Sequence, residues 1–275
     1  MYLERFKLEE FPFRLTPDPS FLYLSEQHAK AKSYMESTLL LADGFVVITG
    51  EIGSGKTTLI ESFLASLDDD VDTARIHQTQ VTPIEFLQAV LIEFGYHPFD
   101  KDKTELTQML NQHLLQQYAE QKKIVLIVDE AQNLTHSVLE ELRLISGLET
   151  TKEKVLSIIL AGQPEFNDTL NSPRLAQLAQ RTRLRFHIGA LSVEETKEYV
   201  NHRLKVAGAG NRKLIDDQAI APIHYYTGGV PRLINTLCDT AFLVAFQQNA
   251  KSVSEKIIKE TADELNWQER TFPIQ

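Results

Sequence analysis

The run GEIGSGKT, Gly50–Thr57, has the residue types and spacing that bind a chain of phosphates. It fits the pattern G-x-x-x-x-G-K-[ST] and follows the short β-branched run FVVIT, Phe45–Thr49. An apolar pattern with helical spacing comes next, from Thr57 to Leu67. Glycines let backbone N–H groups wrap phosphates at a helix N-terminus. This strand–loop–helix context therefore favours a nucleoside triphosphate site over a chance glycine-rich turn.

Two side chains of this run are expected to do more than line the phosphates. Lys56 would reach the β- and γ-phosphates, and the hydroxyl of Thr57 would hold Mg²⁺. The other residues predicted to contact the nucleotide are Gly50, Glu51, Ile52, Gly53, Ser54, Gly55 and Thr58.

A second motif, KIVLIVDEAQNL, is an apolar run from Lys123 that ends in two acids. Ligands of a parallel α/β sheet sit at the carboxyl ends of its strands, so Asp129 and Glu130 should emerge beside the phosphate loop. Asp129 is then the expected Mg²⁺ partner, directly or through water, and Glu130 the base that polarises the attacking water. The alternative is an acidic cap on the following helix.

The rest of the chain supplies the elements that must hold these residues. Strands are predicted near 45–49, 73–77, 124–128, 155–161 and 183–188, and helices over 56–67, 82–94, 104–119 and 135–147. This alternation predicts a parallel sheet covered by helices on both faces. From Leu191 onward four helical segments follow with no strand between them, and Ser192 with Glu195 forms a capping box at the first. We therefore predict an N-terminal segment (1–43), an α/β core (44–190) and a helical domain (191–275).

Composition limits the class of protein. A formal net charge of −10 disfavours a broad basic surface for nucleic acid, although a local patch is compatible with it. The single cysteine, Cys238, rules out an internal disulfide and lies in a run typical of a buried helix face. The chain has no signal-peptide pattern, no apolar run of transmembrane length and no histidine spacing typical of a metal site. We expect a cytoplasmic protein.

The stretch YYTGGVPRLIN, Tyr225–Asn235, places Arg232 at the start of a predicted helix. A cation there opposes the positive end of the helix dipole, and a nearby anion would remove the conflict. Bound phosphate would be such an anion; a solvated Arg232 is the alternative.

An α/β nucleotide domain followed by a helical bundle resembles the AAA+ ATPases, and three positions carry the resemblance further. Gln163, at the end of VLSIILAGQPE, stands where AAA+ proteins have sensor 1, with a simple turn residue as the alternative. Arg181 in LAQLAQRTRLRFHI stands where they place the arginine finger that reaches a neighbouring subunit's nucleotide. Surface roles are the alternative for Arg181, and are expected for Arg183 and Arg185. GVPR matches the lid motif in which Arg232 would be sensor 2.

The motifs FPFRLTPDPSFLYLSEQHAKA, VDEAQNL, LEELRLISGLET, ILAGQPEF and GGVPRLIN resemble the ExeA/GspA branch of AAA+ ATPases, including the short MshM-like form. The resemblance implies an ATP- and Mg²⁺-dependent ATPase that forms a homo-oligomer. It also implies that the protein powers or regulates assembly of an envelope machine for type II secretion, type IV pili or polysaccharide export. The partner would be an inner-membrane secretion or pilus assembly protein, which would make this chain peripheral at that membrane.

Some features keep two interpretations. The aromatic residues Phe11, Phe13, Phe21 and Tyr23 would form either a strap that covers the sheet or contacts to adenine. The main alternative function is a DNA-associated regulator resembling the TniB and MuB transposition ATPases, which requires a basic groove. Arg174, Arg181, Arg183 and Arg185 cluster in the sequence, with a role at the nucleotide or the subunit interface as the alternative for two or more of them. A third is a scaffold that binds ATP but scarcely hydrolyses it, which the presence of Glu130 disfavours.

Overall fold

The computed structural model describes residues 2–41, 45–147 and 154–267 of the 275-residue chain. The strands are β1 (Phe45–Gly50), β2 (Val71–Ile76), β3 (Lys123–Val128), β4 (Ser157–Gly162) and β5 (Thr182–Ile188). The α-helices are α1 (Tyr2–Phe6), α2 (Glu26–Leu41), α3 (Lys56–Leu64), α4 (Pro83–Glu93), α5 (Lys103–Ala119), α6 (His136–Ile145), α7 (Phe166–Leu170), α8 (Ala176–Arg181), α9 (Val193–Leu204), α10 (Ile220–Thr227), α11 (Pro231–Gln247) and α12 (Glu255–Glu264).

The strands form one parallel sheet in the order β2-β3-β4-β1-β5. β1 and β4 are buried at every position, and β3 at every position after its first. Near-continuous apolar runs are what a strand covered on both faces requires. The predicted α/β class with a parallel sheet is confirmed, and so is the helical C-terminal region.

The predicted element positions are confirmed with shifts at the ends. The strand predicted at 73–77 runs from Val71 to Ile76, and the one at 155–161 runs from Ser157 to Gly162. The helix predicted over 56–67 ends at Leu64. Three aspartates follow at 68–70, and carboxylates are unfavourable at the negative C-terminal end of a helix.

Contacts divide the chain into two compact units. The sheet unit comprises His28–Gly50 and Phe63–Ile188, and the helical unit comprises the residues up to Gln27, Glu51–Ser62 and the residues from Gly189 onward. The linear division into 1–43, 44–190 and 191–275 stays a prediction. Its first boundary lies outside the described residues, as do Leu148–Thr150 of the motif LEELRLISGLET and the C-terminal residues 268–275.

The core of the sheet unit is built from apolar residues of the strands and of the helices that cover them. Its helices begin where the sequence provides caps. Thr82 and Glu85 form a capping box at the start of α4, and Asp102 and Glu105 form another at the start of α5. These caps satisfy backbone N–H groups that the first helical turn would leave without partners.

The core of the helical unit joins the C-terminal helices to the N-terminal segment. The Ser192–Glu195 capping box opens α9 as predicted, and Cys238 is buried on α11. Phe13 and Phe21 lie in this helical core, and Phe11 and Tyr23 pack against it. These contacts bury the aromatic segment within the helical unit, and both the strap over the sheet and the contacts to adenine stay predictions.

Arg203 of α9 fixes this N-terminal segment. Its guanidinium donates hydrogen bonds to the carbonyl oxygens of Pro12 (2.5 Å) and Arg14 (3.3 Å) and lies 4.8 Å from the ring centroid of Phe21. Within the part of the chain that the structure describes, no helix is both long enough and apolar enough to cross a bilayer.

Candidate functional site

The glycine-rich loop of the helical unit has the backbone conformation that its sequence requires. Gly53 and Gly55 have φ values of 83° and 99°, in the left-handed region that favours glycine. The Leu59 N–H donates to the Gly55 carbonyl oxygen (2.9 Å), which starts the hydrogen bonding of α3 directly after the loop. The N-terminus of α3 is therefore formed within the motif, as the phosphate-binding interpretation requires.

Lys56 is the first residue of α3 and its side chain turns back over the loop. It is only 6% exposed, and its Nζ donates to the backbone carbonyl oxygen of Glu51 (3.0 Å). Burial of an ammonium group needs such an acceptor. The loop backbone therefore binds the charged side chain of Lys56. Thr57 and Thr58 are half-buried on the first turn of the helix.

The chain before Arg232 turns sharply at two glycines. Gly228 and Gly229 have φ values of 58° and 73°, and a Cβ on Gly229 would lie 2.1 Å from the carbonyl oxygen of Leu191. The Leu191 N–H donates to the Gly229 carbonyl oxygen (3.0 Å). Both the backbone conformation and the close approach exclude a side chain here, so the turn that begins α11 depends on glycine.

This turn brings Arg232 to the glycine-rich loop. The Arg232 backbone N–H donates to the Gly53 carbonyl oxygen (3.2 Å), and a Cβ on Gly53 would lie 2.4 Å from Arg232 Cβ. Arg232 is exposed, and no ion pair involves it among the described residues. The sequence interpretation placed this arginine near a bound anion; in the structure its backbone contacts the loop predicted to bind phosphate.

In the sheet unit, polar residues gather where neighbouring strands end. Thr49 of β1 pairs with Gly162 of β4, and its hydroxyl lies 3.1 Å from His187 Nδ1 of β5. The Asn167 side chain donates to the same hydroxyl (3.3 Å). The carboxyl ends of parallel strands meet at one edge, which is where α/β sheets bind ligands.

Asp129 follows β3 at this edge and is 2% exposed. Its Oδ1 accepts a hydrogen bond from the Glu130 N–H (3.0 Å), and its Oδ2 lies 3.8 Å from Nη2 of Arg75 on the neighbouring strand β2. The negative charge of this buried carboxylate therefore faces a cationic group.

Glu130 has an unusual backbone conformation and a fixed side chain. Its φ of 54° is left-handed, which is rare for a residue other than glycine. Oε2 of its carboxylate accepts hydrogen bonds from Nε2 of Gln132 (2.6 Å) and of Gln163 (3.4 Å). The predicted residues Glu130 and Gln163 thus come together, joined by a glutamine that the sequence interpretation had assigned no role.

The arginines that follow have separate environments. Arg181 Nη1 donates to the Arg143 carbonyl oxygen and to the Ser146 hydroxyl, each at 3.0 Å, at the C-terminal end of α6. A cation is well placed at that end of a helix. Arg183 and Arg185 are exposed on the edge strand β5, as predicted.

Each of the two residues predicted to bind Mg²⁺ carries a donor atom of a suitable kind. A hydroxyl (Thr57) and a carboxylate (Asp129) are hard oxygen donors, and Mg²⁺ is commonly bound by one or two protein ligands with phosphates and water completing the octahedron. Among the described residues no group of three or more His, Cys, Asp or Glu could hold a metal by itself.

Comparison with known proteins adds to these observations. An AAA domain family matches residues 41–170. General secretion pathway protein A of Aeromonas hydrophila is 39% identical over 277 residues, a match that covers 98% of this chain and 50% of that protein. The chain thus spans about half the length of this curated relative.

Solved structures show the same fold at low identity. The ORC2 protein of Aeropyrum pernix, in ADPNP and ADP complexes, superposes with a TM-score of 0.69 and 16% identity, covering 93% of this chain and 72% of that one. The Thermotoga maritima RuvB Holliday junction branch migration motor has a TM-score of 0.58 and 18% identity, covering 94% and 74%. These similarities establish the fold alone.

Proposed function

Since the chain is an ExeA/GspA-like member of the AAA+ ATPases, we propose that it binds ATP with Mg²⁺ and hydrolyses it to control assembly of a secretion-related envelope machine. The observation that carries the proposal is the meeting of Glu130 and Gln163 at the ends of the paired strands β3 and β4, next to Asp129. The buried Asp129 carboxylate, the Glu130 carboxylate and the Gln163 amide lie at adjacent strand ends, and they are the groups needed to orient an attacking water.

Each residue has a distinct role in this proposal. Lys56 and the loop from Gly50 to Thr58 bind the phosphates, and Arg232 contacts them from the start of α11. When bound by the Thr57 hydroxyl and the Asp129 carboxylate, Mg²⁺ would neutralise phosphate charge. Glu130 accepts a proton from the attacking water, and Gln163 orients that water or the γ-phosphate.

The activity is tested by separating binding from turnover. Lys56→Ala should abolish binding of a fluorescent ATP analogue, because the buried ammonium is the cation of the loop. Glu130→Gln should keep binding but lose about 10²–10⁴-fold in turnover, the usual contribution of a general base. Wild-type protein that binds ATP but hydrolyses it no faster than Glu130→Gln would support the scaffold alternative instead.

The proposed homo-oligomer rests on Arg181 as a residue that completes the site of a neighbouring subunit. Arginine fingers contribute about 10³–10⁵ in turnover. Mixing decides the point: Arg181→Ala and Glu130→Gln are each expected to be inactive alone, and activity should return when they are combined. If Arg183→Ala is inactive alone and regains activity when mixed with Glu130→Gln, and Arg181→Ala does not, then Arg183 is the arginine finger. Arg181 would then only stabilise the C-terminal end of α6 through its hydrogen bonds.

The pathway and partner are also proposals. The relative from Aeromonas hydrophila is named for the general secretion pathway. We expect this chain to be recovered with an inner-membrane assembly protein when Glu130→Gln is used to trap the ATP state. Type IV pilus and polysaccharide-export machines are alternatives, and identification of the captured membrane protein distinguishes them.

A DNA-associated regulator is the second candidate. The exposed residues Arg174, Arg183 and Arg185 favour it, because three cations stand close together in the sequence of an acidic chain. Binding to duplex DNA that falls steeply with salt would support this function. No binding at low salt would eliminate it.

A further inference from the structure

We propose that Gln132 is a positioning residue that fixes the Glu130 carboxylate and couples it to Gln163. The inference deepens the proposed ATPase function and rests on it. Gln132 lies half-buried in the short 3₁₀ helix Ala131–Asn133, directly after the two acids of the motif. Its role follows from what each end of its side-chain amide contacts.

The two ends of the amide bridge the ends of β3 and β4. Nε2 of Gln132 donates to Oε2 of Glu130 (2.6 Å), and Oε1 of Gln132 accepts from the backbone N–H of Gln163 (3.0 Å). A short hydrogen bond to an ionised carboxylate is stronger than one between neutral groups. The orientation of Glu130 is thus linked, through one side chain, to the backbone of Gln163.

Both donors reach the same carboxylate oxygen. Gln163 Nε2 also donates to Glu130 Oε2 (3.4 Å), and no hydrogen bond reaches Oε1 of Glu130 within the described parts of the chain. Oε2 is therefore held by two side-chain amides, while Oε1 remains available to accept a proton. A base that must take a proton from water needs this arrangement, with one oxygen anchored and the other available.

The backbone beneath the carboxylate is fixed as well. The Glu130 carbonyl oxygen accepts from the Thr79 hydroxyl (3.2 Å) and from the Asn133 N–H (3.1 Å), and the Glu130 N–H donates to Asp129 Oδ1 (3.0 Å). Left-handed conformations outside glycine persist where surrounding contacts determine them. With the backbone fixed, the remaining freedom of Glu130 lies in its side chain, which Gln132 restrains.

A glycine at the end of β4 makes room for this contact. A Cβ on Gly162 would lie 3.1 Å from Gln132 Oε1 and 3.3 Å from the Gln132 backbone nitrogen. Contacts that tight would shift Gln132 by a few tenths of an ångström. Gly162→Ala therefore perturbs the bridge without removing the amide.

The test compares turnover with nucleotide binding in Gln132→Met, which keeps the side-chain length and removes both hydrogen bonds. We expect kcat to fall about 10–100-fold, the effect of losing a hydrogen bond to a charged group that positions a base. The Kd for a fluorescent ATP analogue should stay within about threefold, because the restraint acts on the base rather than on the phosphate loop. Asn133→Ala, an exposed neighbour on the same 3₁₀ helix, is the matched control and should match wild type.

Two further variants sharpen the result. Gln132→Glu keeps an oxygen for the Gln163 N–H but sets a carboxylate against Glu130, so kcat should fall at least as far as in Gln132→Met. Gly162→Ala should give a smaller loss of kcat, since displacement of a positioning group by less than an ångström still costs turnover. Thermal unfolding will show whether Gln132→Met is folded. If it is not, Gly162→Ala provides the test of the positioning role.

The outcomes separate this inference from the proposed function. Turnover by folded Gln132→Met within threefold of wild type would overturn the positioning role while leaving the ATPase intact. Equal changes in kcat and Kd would also overturn it, because they would indicate a structural role. If wild type itself shows no hydrolysis, the proposed function fails and the role of Gln132 fails with it.

Discussion

Gly229→Ala should destabilise the helical unit more than an ordinary glycine substitution. The added Cβ would lie 2.1 Å from the carbonyl oxygen of Leu191, which is backbone and cannot rotate away. The two segments would have to separate by roughly 1 Å to reach normal contact. The hydrogen bond from the Leu191 N–H to the Gly229 carbonyl oxygen would be lost in the process.

The magnitude follows from three contributions. A positive φ costs a residue with a Cβ about 1–3 kcal/mol. The lost hydrogen bond adds about 1 kcal/mol, and forced displacement of packed segments adds about 1–3 kcal/mol. Gly210→Ala is the matched control, because Gly210 has a φ of 60° in the same unit but no atom within 4 Å of an added Cβ. We expect Gly229→Ala to lose at least about 2 kcal/mol more than this control.

The single tryptophan makes the measurement specific. Trp267 lies in the core of the helical unit, so its fluorescence during urea unfolding reports that unit. Equal losses of unfolding free energy in Gly229→Ala and Gly210→Ala would refute the close-approach argument. A Gly229→Ala protein that folds should also bind ATP more weakly, since the turn positions Arg232 at the loop.

Two other predictions concern the two units separately. Arg203→Met should destabilise the helical unit by about 2–4 kcal/mol, because it removes hydrogen bonds from a buried guanidinium to carbonyl oxygens of the N-terminal segment. Trypsin should then cleave the chain after Arg14 faster than in wild type. An unchanged rate of cleavage would show that Arg203 does not hold this segment in place. Burial lowers the pKa of His113 despite the opposing effect of Asp72, so the unfolded chain binds a proton more readily than the folded one. Stability should therefore fall as the pH drops through about 6.5 and below. The dependence of the urea unfolding midpoint on pH measures this loss, and it should be weaker in His113→Gln than in wild type. An identical dependence in the two proteins would show that other groups cause it.

Parts of this protein follow from the sequence alone. The phosphate loop, the acidic motif and the helix caps are local patterns, in which spacing along the chain fixes both the residues and their conformation. The alternation of apolar strands and amphipathic helices likewise predicts the parallel sheet, because period and burial are read over a few neighbouring residues. The positive φ of Gly53 and the Ser192–Glu195 capping box are of this kind.

Other features depend on residues far apart in the chain. The aromatic N-terminal segment was predicted to cover the sheet or to contact adenine, and within the helical unit its residue Phe13 packs against Phe242 of α11. Apolar pattern predicts burial but does not specify which core buries a segment. That choice depends on long-range partners such as Arg203, which binds the carbonyl oxygens of Pro12 and Arg14.

Gln132 shows the same limit at the candidate site. The sequence places this residue two positions after Glu130, where it could equally be a solvated part of a turn. Only the pairing of β3 with β4 brings the Gln163 backbone to its amide. Local sequence therefore determined which chemical groups the site contains. The tertiary structure decided which of them hold one another, because a hydrogen bond depends on distance in space and not on separation along the chain.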